Sequence, residues 1–152
     1  MKSFISENSG RIVTMHLQKG ELLAESIRSE AKRRGINNAV LLCAIGSLRK
    51  IVMHMILTTD DLAENRYVTI EKPIELGSMQ GLILNGEPHF HFVCSSPEGK
   101  EYIGHVEDGC EVQYLIELCF MELPGLEVER KLDEYGISYI TERESRVLPG
   151  TC

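Results

Sequence analysis

With 152 residues, 43% hydrophobic and 26% charged side chains and no Trp, the chain has material for one domain with a core and a tail, and reads as neither disordered nor a disulfide scaffold. Its formal charge of -7 argues against a protein built to coat nucleic acid or an anionic membrane, because phosphate binding is driven by Lys and Arg displacing counterions. The N-terminus lacks the apolar stretch of a signal peptide, no apolar run approaches the ~20 residues of a membrane span, and Cys43, Cys94, Cys110, Cys119 and Cys152 show no C-x-x-C spacing, so a cytoplasmic location with reduced thiols is expected.

In chain order, GRIVTMHL reads as a first strand and GELLAESIRSEAKRRG as the one convincing helix. Leu23, Ala24, Ile27 and Ala31 form its apolar stripe, and Gly35 follows where a left-handed residue is wanted. Lys32, Arg33 and Arg34 close the helix, where cations complement its dipole; this reading is favoured over a nucleic-acid contact. From Ala39 the pattern turns to β, through AVLLCAIGSL, KIVMHMILT, RYVTIEK, IELGSMQGLIL, PHFHFVCS, KEYIGHV and EVQYLIELCFMEL. One early helix followed by many strands indicates an α+β fold, mostly antiparallel sheet with one packed helix. The more polar tail from Pro124, weakly periodic, is expected to extend a strand or wrap the surface.

Three of the five histidines fall in EPHFHFVCSSPEGKEYIGHV. In SPEGK, Pro97 and Glu98 suit the centre of a type I turn and Gly99 the left-handed residue of a three-residue hairpin loop. Counting back along that ladder sets His91 opposite His105, with Gly104 opposite Phe92 on the other face. His89 shares the face of His91, because side chains two apart on a strand point the same way. In LNGE, Asn85 and Gly86 read as a two-residue turn, which sets Gln80 opposite His91, Leu82 opposite His89 and Gly81 opposite Phe90.

Three imidazoles converging on one sheet face match the ligand set of a divalent metal, zinc first among the candidates, with a fourth position left open. The bland alternative is three polar residues on a solvated face or in a subunit contact. His54, inside the apolar IVMHMIL, has no partner at ligand spacing and reads as a neutral core or interface histidine; His16 is uninformative. Cys94 falls on the other face by strand parity. Glu117 interrupts the apolar YLIELCF, so it faces solvent, pairs with a cation or serves chemistry. Glu75 in KPIELGSMQG raises the same question, with Gly77 a candidate bulge that would change its face. Glu117, Glu75 and Gln80 are therefore the candidates for moving a proton or orienting a substrate.

The Arg-initiated strand, the G-E-L helix, AIGSLRK, IELGSMQG, EPHFHFVCSSPEGKEYIGHVEDG and VQYLIEL together resemble the PPC domain (DUF296) of plants and prokaryotes, from about Arg11 to Leu123. The chain then divides into an N-terminal extension (1–10), the PPC domain (11–123) and a C-terminal extension (124–152). Ile103 departs from the family, which usually has there the first of two glycines before the histidine. The resemblance implies antiparallel sheet with a packed helix, and a homotrimer. In plants the domain accompanies AT-hook DNA-binding motifs, but no R-G-R-P core occurs here, so nucleic acid is not expected as a partner. The fold is also similar to that of acetolactate decarboxylase and of a zinc-dependent ester hydrolase, both with histidine triads. That kinship implies metal chemistry, a zinc-dependent hydrolase or lyase acting on a small polar molecule; the alternative is a non-catalytic DNA-associated or protein-interaction module.

Overall fold

Period-two alternation of apolar side chains builds six strands around one helix: β1 (Ile12–Gln18), α1 (Leu23–Arg34), β2 (Ala39–Ile56), β3 (Asn65–Leu84), β4 (Glu87–Ser95), β5 (Glu101–Val106) and β6 (Glu111–Glu122). The structure is a computed structural model that describes residues 1–8, 10–60, 62 and 64–143; Cys152 lies outside them. The strands form an antiparallel sheet in the order β1-β6-β2-β3-β4-β5. A second edge pairing, Met53 with Val106 and His54 with His105, joins β2 to β5, so the sheet curls and closes on itself at the histidine end. This is the α+β architecture that the sequence indicates.

AVLLCAIGSL and KIVMHMILT, separate runs in the sequence, are one 18-residue strand, and RYVTIEK continues into IELGSMQGLIL as one strand of 20 residues. The interruption in pattern is a register shift between Leu48 and Lys50 rather than a chain break. Pro73 fits there because it sits at the irregularity, on a stretch of β3 that β4 has not yet reached; that pairing begins at Glu75 with Ser95.

Helix α1 lays Leu23, Ala24, Ile27 and Ala31 onto the sheet, and Gly35 (φ 67°) ends it with its N–H on the Lys32 carbonyl while Ile36 N–H reaches Ala31. Arg33 and Arg34 both donate to Glu30, and these bonds hold its carboxyl down at about 2. Beneath the helix, Phe90, Phe92 and Phe120 are fully buried, each ring contributing on the order of 2–3 kcal/mol.

The polar tail forms a hairpin of its own, β7 (Val128–Leu132) and β8 (Ser138–Glu142), rather than lengthening a strand of the main sheet. Asp133 Oδ1 accepts from the N–H groups of Tyr135 and Ile137 at 3.0 and 2.8 Å and shapes its turn. Val128 is buried, and Arg143 donates to Asn85 Oδ1 at 3.0 Å, which fastens this hairpin over the β3–β4 turn. No helix among the described residues is long and apolar enough to cross a membrane.

Candidate metal centre

Two local turns position the triad. Asn85 and Gly86 both take positive φ (52° and 82°), the twist that a two-residue hairpin requires, and their register sets Gln80 against His91 and Leu82 against His89. Ser96 and Lys100 close the next loop by a 2.9 Å backbone bond, with Gly99 left-handed (φ 78°), and His91 then pairs with His105. Phe90 and Phe92 turn inward against Gly81 and Gly104, so the histidines between and beside them turn outward.

Each of His89, His91 and His105 offers a nitrogen within 4.8 Å of the others. Their ring centroids lie 4.6 Å (His89–His105), 5.4 Å (His91–His105) and 5.6 Å (His89–His91) apart. Burial, followed by the charge of Arg130 and the neighbouring rings, pushes His89 down to about 4. Burial also lowers His91 and His105. All three rings are thus neutral at physiological pH, the form in which imidazole ligates a cation, and the set suits a borderline-soft divalent ion such as zinc.

A second group shares His105. His54, His105 and Glu107 also bring ligand atoms within 4.8 Å, with the His54 and His105 centroids 4.5 Å apart. His54 Nδ1 lies 2.5 Å from Glu107 Oε1. The carboxylate accepts from the Nδ1–H, which fixes the tautomer and leaves Nε2 as an acceptor. His54, read from the sequence as a partnerless core or interface residue, therefore belongs to the histidine cluster. Gly104 makes this approach feasible: a Cβ there would stand 2.7 Å from the His54 carbonyl oxygen.

The other candidates separate. Gln80 stands opposite His91, as the LNGE register predicts. Glu75 pairs with Ser95 beyond a bulge at Gly77 and lines a different cleft, about 290 Å³, with Ser47, Ser96 and Tyr114. Glu117 lies on the outer side of β6, its side chain 59% exposed and 3.8 Å from His16. Its β2 partner is Ile45, nine positions before His54, so neither Glu117 nor Glu75 joins either histidine group. The alternation of β6 gives Glu117 the ordinary solution for a carboxylate in an apolar strand, solvent with a basic neighbour. Cys94 is buried on the opposite face, and burial pushes its thiol up to about 12.

A curled antiparallel sheet with one packed helix and an outward histidine cluster defines a small α+β protein with a candidate metal centre. The chain belongs to the family of the Plants and Prokaryotes Conserved (PCC) domain, whose model matches residues 4–124, and the resemblance to the PPC domain is borne out. It is similar to a plant- and prokaryote-conserved (PPC) protein of Pyrococcus horikoshii, with 28% identity, a TM-score of 0.77, and 91% of this chain and 96% of that one covered. The metal-containing protein AF0104 of Archaeoglobus fulgidus is 26% identical at a TM-score of 0.77, over 90% of this chain and 95% of that one. A Bacteroides thetaiotaomicron protein that carries the provisional name of a DNA-binding protein shares 12% identity at a TM-score of 0.75, over 91% and 97%, which is a likeness of fold alone. No protein of curated function matches the sequence.

Proposed function

We propose that this PPC-domain protein holds one divalent cation, zinc by preference, between His89, His91 and His105, and acts as a hydrolase or lyase on a small polar molecule. The convergence of three neutral imidazoles within 4.8 Å carries this reading. A cation bound there would lower the pKa of water or polarise a substrate oxygen. His54 takes and returns the proton through Nε2, while Glu107 keeps its ring oriented and steadies the charge it acquires. This dyad stands beside the triad, which favours it over Glu117 and Glu75 for proton transfer; Gln80, opposite His91, orients the substrate. That AF0104, 26% identical, is a metal-containing protein supports the assignment.

The chain is proposed to act in the cytoplasm, and to associate as a homotrimer, since Met55, Ile56, Leu57 and Tyr67 leave apolar side chains exposed where β2 ends and β3 begins. The second reading, a non-catalytic module that associates with DNA or with another protein, draws on the provisional names of relatives in Bacteroides and Ralstonia. A net charge of -7 opposes duplex binding, and a gel-shift titration at physiological salt should show none.

Metal analysis of untagged protein decides the primary reading. About one equivalent per chain is expected, lost in His91→Ala and His105→Ala with the circular dichroism spectrum retained. Metal content unchanged by both substitutions would remove it.

A further inference from the structure

We propose that Arg130 is an anion anchor beside the histidine cluster, so that the substrate carries a carboxylate or phosphate group. The proposal rests on the reading of the cluster as a metal centre and names the substrate class of that same site.

β7 places the guanidinium. Val128 is buried, and Arg130, two positions on, points to the same side of the strand, into the body of the protein. Glu129 and Lys131 occupy the other side and pair with one another at 3.1 Å, so Glu129 is engaged away from Arg130. The bond from Arg143 to Asn85 fixes this hairpin over the β3–β4 turn, which the Leu82–His89 pair flanks. Arg130 thus belongs to a second sheet that packs against β3, and its charge acts on both His89 and His105.

Its hydrogen bonding is incomplete. Nε is shut off from solvent with no acceptor, and among the described residues no carboxylate pairs with the guanidinium. Leaving a partly buried guanidinium without an acceptor or counter-charge is unfavourable, and that burial lowers its pKa. Neutral imidazoles offer it no compensating charge. An oxyanion on the substrate would: the planar fork matches carboxylate and phosphate in a bidentate manner. Arg130 also lies beyond residues 4–124, so this selectivity belongs to the C-terminal extension rather than to the family-matched domain.

The test uses the full chain loaded with one equivalent of zinc, titrated calorimetrically with inorganic phosphate, with pyruvate and with neutral acetamide. Wild type should bind at least one of the two anions and prefer it over acetamide; which one binds tells a phosphate substrate from a carboxylate substrate. Arg130→Gln should bind that anion about tenfold or more weakly at unchanged metal content, and Arg130→Lys should recover part of the loss. Equal affinity in wild type and Arg130→Gln, or no anion binding by wild type, would overturn the anchor. The two claims fail separately. A protein that takes up no metal yet binds an anion through Arg130 loses the metal centre and keeps the anchor, whereas retained metal with Arg130-independent binding loses the anchor alone.

Discussion

His54 and Glu107 make the sharpest demands at the scale of single residues. If the pair moves a proton for a centre held by other ligands, Glu107→Gln should keep the metal and lower turnover roughly a hundredfold, with a larger effect on kcat than on KM, read with whichever substrate a screen of esters, lactones and 2-keto acids supplies. Glu117→Gln should change neither, because its carboxylate is exposed beside His16. Parallel losses in both variants would contradict the division of roles. His89 predicts a pH dependence. Burial and then Arg130 hold it at about 4 against an ordinary 6.5, so the unfolded chain takes up a proton as pH falls through 6.5 while the folded chain resists until about 4. Stability of the metal-free protein is therefore full above 6.5 and is lost as pH falls across that window. Melting temperatures after chelation should show the decline, and His89→Asn should reduce it, leaving the part that His91 and His105 contribute. An equal decline in that variant would count against the assignment.

At the scale of elements, the β4–β5 hairpin and the β2–β5 seam differ in how far the sequence discloses them. The hairpin is local: SPEGK fixes the loop, the loop fixes the register, and the register brings His91 to His105 with Gly104 behind Phe92. Nothing within IVMHMIL indicates that His54 will meet His105, since that contact depends on the sheet curling through β3 and β4 before β5 returns to β2. The one legible hint is Gly104, which stands opposite Phe92 and whose missing side chain lets β2 come close. Gly104→Ala should force β2 away from β5, destabilising the fold by ~1–3 kcal/mol in denaturant titration and weakening metal binding while the β4–β5 turn stays intact. Wild-type stability in that variant would mean that the seam is not tight. The tail was harder to read because VERKL and SYITE are short and polar; β7 is recognisable once Val128 is seen buried, and Arg130 acquires meaning through that placement.

For the whole molecule, Ile56, Leu57 and Tyr67 are exposed where β2 ends and β3 begins, and self-association is the proposed reason. Light scattering at micromolar concentration should return three times the mass of one chain, and Ile56→Lys should shift it toward the monomer; a monomeric wild type would contradict the trimer. The central claim concerns the histidines, and anomalous diffraction from crystals of untagged, zinc-loaded protein tests it most directly. The account predicts one peak per chain, within about 2.0–2.1 Å of a nitrogen from each of His89, His91 and His105, with at least one coordination position not filled by protein. A peak elsewhere, or one whose ligands do not include all three histidines, would contradict it.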